Sequence, residues 1–462
     1  MRKHLHTLML LVASVLTAGF TTACGSDDYT SGELSRDCLI TEVTLGTLNR
    51  TMHTLDSKGE DSTYTVTVTG TMYPMHIDQL AGKVYNPDSL PVGTDVSKVV
   101  FSTFNVRYGM SIRSLNTGND TIFTTTDSTD FRTPRIVKVY AQDATMTREY
   151  EVKVNLHTEE PDSCAMLMWQ NDATSPLAAM TAMQAVAHEG TVYVVGDTPS
   201  GAQPCVTLRK QEPQSCFDVR PVDCPIGQLR VHTLRVHHGA FYALAGQTLV
   251  TAAHPAGPWL EVPGAPALDD LAGSGADSLY ALSGGQMLCS ADGITWQATE
   301  ADEPHMLPTA DACIAAIPAR HNDNMTGLVL YGTRDGQAVT WHRDVYKEGN
   351  FSFPWFYLTP ISAQAATVPP LLQQASLMPY DDGALLIGLT PQGTMAPCYL
   401  THDGGRSWLT GEMKTPSLQG ASCVTAAVDD EHYVWIIAGG TGEVWRLRIN
   451  RLGWKQQDTR FE

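Results

Sequence analysis

One pattern constrains this fold more than any other: a short apolar run that ends in glycine and recurs along the second two thirds of the chain. Six such runs, each preceded by a polar turn, occupy 191–196, 240–246, 278–284, 327–332, 384–388 and 432–439. Runs without a polar break are typical of strands buried on both faces. Their spacing of about 35 to 60 residues is typical of four-stranded propeller blades with unequal loops. The sequence therefore predicts an all-β chain with a six-bladed β-propeller over 164–462.

The composition agrees with an all-β protein and limits its partners. Charged residues make up 17% of the chain, and it contains 38 Gly and 26 Pro, a profile of many turns. The formal net charge is −19 at pH 7. An acidic surface disfavours nucleic acid and anionic headgroups as main partners, whereas neutral sugars and cations remain compatible with it. We expect no nucleic-acid partner.

Two stretches, 290–296 and 401–408, share an Asp, a Gly and a closing Ser/Thr-Trp pair. In such a turn the Asp carboxylate accepts N–H groups, the Gly adopts a positive φ, and the Trp packs on the neighbouring strand. The pattern resembles the Asp-box of sialidase-type β-propellers. We predict structural roles for its residues, which are Ser290, Asp292, Gly293, Thr295, Trp296, Thr401, Asp403, Gly405, Ser407 and Trp408.

The resemblance to sialidases does not extend to their catalytic residues. Sialidases use an arginine cluster, whose first member lies in an Arg-Ile-Pro-type motif, together with a Tyr–Glu pair and an acid/base Asp. This chain offers only Val219-Arg220-Pro221, which lacks the middle residue of that motif and follows the first blade. Motifs of serine hydrolases, phosphate-binding loops and zinc peptidases are also absent from the sequence. The sequence favours a protein without catalytic residues, cofactor or metal.

Four histidines are the best metal candidates, namely His232, His237, His238 and His254. Two of them lie in one turn, where histidines are usually only solvated. The ten cysteines contain no Cys-x-x-Cys pair, which weakens a zinc interpretation. Metal binding is therefore the less favoured interpretation of this cluster.

Residues 36–157 alternate polar with β-branched or aromatic residues, as half-buried strands do. The clearest runs are 63–69, 136–140 and 150–154, with turn clusters between them. About seven strands in this length predict an Ig-like β-sandwich. The stretch 77–95 is similar to an uncharacterised family of Bacteroidetes surface lipoproteins. A spacer role is favoured for this domain, with an adhesive module as the alternative.

The first residues of the chain resemble an export signal. Two basic residues precede an apolar run, 8–16, that is too short to span a membrane. Cys24 follows Thr-Thr-Ala, which resembles a bacterial lipobox and implies a lipidated first residue, and the acidic pair behind it resembles a surface-export signal. We expect a signal peptide 1–23, a tether 24–35, and a bacterial outer-membrane location anchored through Cys24. The alternative is a plain secreted protein.

A ligand face, if present, should be built from the loops after the second strands and from the connections between blades. These segments carry Asp197, Asp302, Glu303, His305, Arg334, Asp335 and Gln337. The acidic turns at Asp381 and Asp429 should lie on the other side. We predict a non-catalytic module that binds a glycan or a protein through these loops. Two alternatives stay open: a glycan hydrolase or lyase with another carboxylate arrangement, and a structural subunit of an envelope assembly.

Overall fold

The computed structural model describes residues 34–208, 218–319, 322–347, 353–359 and 369–454. Regular structure in these ranges consists of β-strands and five 3₁₀ turns, Gly70–Met72, Val96–Lys98, Pro176–Ala179, Pro304–Met306 and Asn450–Gly453. In the same ranges no helix is long and apolar enough to cross a bilayer. The chain is all-β and divides into two units between Thr158 and Glu159. The predicted signal peptide and Cys24 lie outside the described residues.

The N-terminal unit is built around one large mixed sheet. Its strands are β1 (Ile40–Leu45), β2 (Thr47–Leu55), β3 (Asp61–Thr69), β4 (His76–Asp78), β5 (Lys83–Tyr85), β6 (Phe101–Val106), β7 (Gly109–Arg113), β8 (Asp120–Ile122), β9 (Arg135–Tyr140) and β10 (Thr147–Lys153). Six strands form a sheet in the order β4-β5-β10-β9-β7-β8, in which β5 and β10 are parallel. β1 pairs with β6, and β2 with β3. The three clearest alternating runs fall on β3, β9 and β10.

Four phenylalanines form the centre of this unit's core. Phe101, Phe104, Phe123 and Phe131 are all buried. Their ring centroids lie 5.2 to 6.0 Å apart with interplanar angles of 77° to 89°, the edge-to-face geometry that aromatic quadrupoles favour. The unit therefore has a hydrophobic core of its own, as an independent domain requires.

The C-terminal unit consists of four-stranded antiparallel sheets. Its strands are β11 (Cys164–Asn171), β12 (Ala182–His188), β13 (Thr191–Asp197), β14 (Pro204–Leu208), β15 (Asp218–Pro221), β16 (Leu229–His237), β17 (Ala240–Ala245), β18 (Thr248–Ala252), β19 (Leu260–Glu261), β20 (Asp270–Gly275), β21 (Ser278–Ser283), β22 (Gln286–Ser290), β23 (Gln297–Ala298), β24 (Ala310–Pro318), β25 (Met325–Arg334), β26 (Gln337–Tyr346), β27 (Phe356–Tyr357), β28 (Gln373–Tyr380), β29 (Gly383–Leu389), β30 (Tyr399–Thr401), β31 (Leu409–Thr410), β32 (Cys423–Val428), β33 (Val434–Gly439) and β34 (Glu443–Ile449). Among the described strands these form six sheets: β12–β15, β16–β19, β20–β23, β24–β27, β28–β31 and β32-β33-β34-β11.

The six sheets close into a ring. The first strands β12, β16, β20, β24, β28 and β32 contact one another in that order, and β32 contacts β12 again. The six apolar runs of the sequence form the second strands β13, β17, β21, β25, β29 and β33. Each second strand lies between two strands of its own sheet and is largely buried, which explains why these runs lack a polar break. The last sheet takes its outer strand, β11, from the start of the unit.

A buried arginine contacts aromatic rings of both this closing strand and the rest of its sheet. The Arg446 guanidinium in β34 lies 4.6 Å from the ring of Trp169 in β11, 3.9 Å from that of Tyr433 and 4.6 Å from that of Trp435 in β33. Contacts of a desolvated guanidinium with an aromatic ring are favourable by about 2 kcal/mol or more. Arg446 therefore stabilises the seam at which the ring closes.

The turns 290–296 and 401–408 each join the third and fourth strands of a sheet. Asp292 accepts the N–H groups of Ile294 and Thr295 at 2.8 and 2.7 Å, and Trp296 Nε1 donates to Gly293 O at 2.8 Å. The backbone N–H groups of Thr295 and Ile294 lower the pKa of Asp292 to about 2. Gly293 has a φ of +75°, which a residue with a Cβ adopts only with strain.

The second turn repeats this arrangement. Asp403 accepts the Ser407 N–H at 2.9 Å, the Ser407 hydroxyl at 2.6 Å and the Thr401 hydroxyl at 2.9 Å. Trp408 Nε1 donates to Gly405 O at 3.1 Å. Partial burial acts to raise the pKa of Asp403, but the hydrogen bonds from Ser407 and Thr401 outweigh it and the pKa lies below its usual value. Both carboxylates thus accept hydrogen bonds from donors within their own turns.

Replacing Asp403 with Ala is expected to lower the free energy of unfolding by about 1 to 3 kcal/mol, because the Ser407 and Thr401 donors lose their acceptor. Asp292→Ala should act in the same direction. The stabilisation is present above the unfolded pKa of about 4 and is lost as the pH falls below it, so the difference from the unaltered protein should shrink in acid. Urea unfolding followed by tryptophan fluorescence measures both effects, with the exposed Glu261→Ala as control. An Asp403→Ala variant as stable as this control would contradict the role of the turn.

Candidate functional site

A cavity of about 420 Å³ opens on the axis of the ring. It lies on the side where first strands begin and second strands end, which we call the upper side. Polar side chains from four sheets line it, including Asp197, Arg230, His232, Asp311 and Gln374. Its size falls within the range of small-molecule sites. We call it the axial cavity.

Bulges in the first strands shape this cavity. The pairing register shifts after Arg230 in β16, after Leu271 in β20, after Ala310 in β24 and after Gln373 in β28. By contrast, β12 and β32 pair with their second strands without a shift. A bulge leaves residues outside the ladder and redirects their side chains. Three residues of the cavity wall, His232, Asp311 and Gln374, lie within the shifted segments.

Two of these residues have strained backbones. Asp311 and Gln374 have φ angles of +54° and +53°, and this left-handed conformation costs a residue with a Cβ about 1 to 2 kcal/mol. Gln374 Oε1 accepts the Val424 N–H at 2.8 Å, so this side chain also fixes a neighbouring strand. Asp311 makes no hydrogen bond or ion pair among the described residues, and it is exposed. Strain of this kind concentrates at functional sites.

A buried carboxylate orders the basic residues of the wall. Asp270 is 3% exposed. Its Oδ1 lies 3.5 Å from His232 Nε2 and 4.0 Å from Arg230 Nη2, and its Oδ2 accepts the Ala312 N–H at 3.2 Å. Burial acts to raise the pKa of Asp270, but His232, Arg235 and the Ala312 N–H outweigh it and the pKa lies below its usual value. Asp270 is therefore ionised at neutral pH.

A second cavity of about 380 Å³ lies nearer the other end of the first strands. Arg235 lines both this cavity and the axial cavity and lies between them. Its guanidinium donates to the carbonyls of Ala272, His232, Leu234 and Ala312 at 2.8 to 3.2 Å. All four acceptors lie in the shifted segments of β16, β20 and β24. Burial lowers the pKa of Arg235, and the Asp270 carboxylate opposes that change. The bulges thus supply the carbonyl groups that let a half-buried guanidinium bridge three sheets.

The groups left for a ligand are mainly carboxylates and amides. Arg230 is partly engaged, since its Nη1 donates to Asp269 O at 2.6 Å. The Asp197 carboxylate accepts the Gln203 amide at 2.7 Å and keeps further lone pairs. Side-chain amides in the same wall come from Gln184, Gln228 and Gln374. Such acceptors and amide donors suit ligand hydroxyl groups better than an anionic ligand.

The structure places one of the seven predicted ligand-face residues, Asp197, in the axial cavity. Asp302 lines a different cavity of about 450 Å³ and accepts the Tyr357 N–H at 2.9 Å. Beside it, Glu303 and His305 form an exposed pair at 3.5 Å.

The other three predicted residues share the β25–β26 hairpin. Arg334 Nη1 donates to Leu307 O at 2.8 Å, Asp335 occupies the turn with a φ of +49°, and Gln337 pairs with Arg334 across the hairpin. No described contact joins these hairpin residues to the axial cavity. They therefore form part of the upper rim and do not line the axial cavity.

The four candidate histidines do not converge on a common point. His232 lies at the axial cavity, while His237 at the other end of β16 donates from Nε2 to Ala291 O at 3.1 Å and has its Nδ1 2.9 Å from Ser274 Oγ. His238 stacks on His237 at 3.9 Å. His254 Nδ1 accepts the N–H of Ala256. These separate partners do not make a four-histidine metal site.

One other group has metal-like geometry. The ligand atoms of Asp381, Asp382 and His402 lie within 4.8 Å of one another. Arg451 already bonds both oxygens of Asp381 at 2.8 and 2.7 Å, and His402 Nδ1 lies 2.6 Å from Asp382 Oδ1. We regard this group as an ion-pair cluster that links the 3₁₀ turn Asn450–Gly453 and the turn 401–408 to the β28–β29 turn.

Asp270, Asp311 and Gln374 are not evident from the apolar second strands, because all three lie on first strands. Their sequence signal is weaker. Each of these polar residues stands directly before a segment of small or apolar residues, interrupted only by Ser376, at 271–272, 312–317 and 375–378.

Comparison with solved structures returns proteins of low similarity. AofleA from Arthrobotrys oligospora has 11% identity and a TM-score of 0.37, covering 62% of this chain and 86% of its own. The SapL1 lectin in complex with alpha methyl fucoside has 12% identity and a TM-score of 0.34, with coverage of 58% and 91%. A glycosyl hydrolase from Bacteroides ovatus has 9% identity and a TM-score of 0.29, with coverage of 61% and 85%. These similarities assign no function.

Family comparison is more informative about architecture. A profile described as "DUF6242 beta propeller domain" matches residues 160–457. A second, described as "Domain of unknown function (DUF6242) N-terminal domain", matches residues 43–154. No curated protein matches the chain.

Asp270→Asn is expected to lower the free energy of unfolding by about 1 to 3 kcal/mol, because it removes the buried negative charge that accepts the Ala312 N–H and faces His232 and Arg235. Asp311→Asn is the matched control. It removes a carboxylate at an exposed position, and Asn tolerates the left-handed conformation. The free energy of unfolding should therefore change by no more than about 0.5 kcal/mol. Thermal unfolding followed by circular dichroism compares the two variants. Equal stability of both would show that Asp270 does not order the wall.

Proposed function

The chain belongs to the DUF6242 family, whose C-terminal domain is a β-propeller, and we propose that this propeller is a non-catalytic module that binds a glycan in the axial cavity. Asp311 carries the proposal. It lines the cavity with a strained backbone, and its carboxylate makes no hydrogen bond or ion pair within the described residues. A ligand hydroxyl donating to this carboxylate would supply such a partner.

The chemistry of the wall supports a neutral sugar over a charged one. Arg235 donates to backbone carbonyls, and Asp270 balances the nearby basic groups. The net charge of −19 disfavours an anionic glycan as well. A cavity of about 420 Å³ accommodates one or two sugar units. A protein partner that inserts a polar loop is the remaining possibility for the same cavity.

We also propose the finer architecture predicted from the sequence, with six propeller blades, an Ig-like N-terminal module and Asp-box turns. The ring of six four-stranded sheets supports the blade number. The carboxylate bonds within 290–296 and 401–408 support the Asp-box assignment. Strand alternation and a separate core support a sandwich, although the parallel pair β5–β10 departs from the all-antiparallel pattern of Ig domains.

A glycan hydrolase is the second candidate, favoured by three aspartates in or beside the cavity, Asp197, Asp270 and Asp311. Glycoside hydrolysis needs a carboxyl group whose raised pKa keeps it protonated as the general acid. Every described carboxyl group with a shifted pKa is shifted downward, Asp270 included. Asp270 therefore suits positioning and not proton donation.

Screening the protein on a glycan array should return neutral oligosaccharides. Asp311→Asn and His232→Ala should then weaken binding by about tenfold or more, because the first replaces a charged acceptor by a neutral amide and the second removes a ring nitrogen from the wall. Glu303→Ala is the control. It removes an exposed carboxylate outside the axial cavity and should leave the affinity unchanged. Isothermal titration calorimetry with the best array ligand measures all three variants.

Other outcomes separate the competing functions. An array without specific binding, together with capture of one protein partner that Asp311→Asn abolishes, would replace the glycan by a protein. Release of reducing sugar that is lost in Asp311→Asn would establish the hydrolase. Loss of glycan affinity in Glu303→Ala or Asp335→Ala, but not in Asp311→Asn, would move the site to the upper rim loops. Stable co-purification with envelope proteins and no ligand would favour the structural subunit.

We propose a lipid anchor at Cys24 and an outer-membrane location, which the lipobox resemblance supports and which lie outside the described residues. Cys24→Ser should move the protein from the membrane to the soluble fraction, because the lipid of a lipobox protein is attached to the cysteine sulfur, which serine lacks. Ser26→Ala, two residues away, is the matched control and should remain in the membrane fraction. Fractionation followed by immunoblotting measures both. Membrane retention of Cys24→Ser would refute the anchor.

A further inference from the structure

The outer strand of the closing sheet differs from the outer strands of the other five. β11 is eight residues long, whereas β15, β19, β23, β27 and β31 have two to four residues. Among the described strands β11 pairs with β34 alone and stands at the end of its sheet. Its second edge is therefore a row of backbone N–H and C=O groups open to another strand.

The side chains along this edge are apolar and exposed. Met166, Leu167 and Met168 are 38%, 57% and 42% exposed. The whole strand, Cys164–Asn171, contains no charged residue, although the chain carries a net charge of −19. Native proteins usually protect a long edge strand with charges or proline. Adjacent exposed apolar residues on such an edge are typical of a pairing surface.

The strand is complementary to itself. It pairs with β34 in one register from Cys164 to Met168, and the register shifts between Met168 and Gln170. A two-fold axis at Met166 would place Ala165 opposite Leu167 of the second copy. The same axis would place Cys164 opposite Met168, so every residue of the regular segment would face an apolar residue. Two-fold symmetric contacts need this kind of self-complementary surface.

We propose that β11 pairs antiparallel with β11 of a second copy of this chain, which joins the two closing sheets into one eight-stranded sheet. The charge distribution favours a second copy at this place. Two copies with the same strong negative charge repel each other, and an uncharged strand lets them approach without placing like charges opposite one another. The contact involves the outer rim of the ring, so both axial cavities remain available.

The oligomeric state of the full-length protein tests this proposal, and no glycan is needed. Sedimentation velocity should show a dimer, both for the Cys24→Ser variant in buffer and for the unaltered protein in detergent. Leu167→Lys should weaken the dimer by at least about tenfold, because it places two lysines near the symmetry axis. Leu260→Lys is the matched control. It alters an exposed leucine on the outer strand β19, 63% exposed, and should leave the dimer intact.

Crosslinking tests the strand register. Met166→Cys should form a disulfide between two copies under mild oxidation, while Gln297→Cys on the outer strand β23 should not. A monomer at every concentration up to about 100 μM, corresponding to affinities weaker than about −5.5 kcal/mol, overturns the proposal. So does a Leu167→Lys variant that stays dimeric with unchanged thermal stability. A dimer without glycan binding would leave this proposal standing and refute only the glycan module.

Discussion

Closure of the ring is the constraint on which the rest of the propeller depends. Each sheet packs between two neighbours, so the first and last sheets would expose apolar faces if the ring stayed open. Closure is achieved when β11, at the start of the unit, completes the sheet formed at its end. Arg446 contacts the rings of Trp169, Tyr433 and Trp435 across that seam. One desolvated guanidinium therefore stabilises the strand pairing that joins the two ends of the unit, beside the contact between β12 and β32.

Because the ring is closed, the distances between the first strands around its axis are fixed. The bulged segments of three of these strands lie close enough together to bond one arginine side chain. A regular first strand stands at the edge of its sheet and uses about every second carbonyl group in the ladder, whereas a bulge leaves further carbonyl groups unpaired. Arg235 donates to four carbonyl groups in the bulged segments of three sheets, and Asp270 balances its charge. Bulges in consecutive sheets thus have two effects. They supply acceptors for a half-buried cation at the bottom of the axial cavity, and they turn polar side chains toward the space above it.

The sequence predicted those parts of the fold whose physics is local. The second strands are recognisable because burial on both faces excludes polar residues, and the turn around Asp292 is recognisable because all its hydrogen bonds lie within seven residues. The axial site depends on register shifts between strands and on contacts such as that of His232 with Asp270, 38 positions apart. Neither is encoded in spacing along the chain. Of the predicted ligand-face residues, Asp197 alone lines the cavity, since loop position indicates the side of the ring but not the direction of a side chain.

Asp311 and Gln374 lie at the same level of the ring and share a backbone conformation, but their side chains differ in what they contact. Both have the left-handed conformation that glycine adopts without strain. Gln374 offsets part of that cost within the protein, because its side chain accepts the N–H of Val424 in the next sheet. The carboxylate of Asp311 makes no hydrogen bond or ion pair among the described residues, and it lies in the wall of the axial cavity. A glycine would adopt the same backbone conformation without strain, but it would leave the wall without this carboxylate. In the proposed glycan complex, this carboxylate is the acceptor that we expect a ligand hydroxyl group to use.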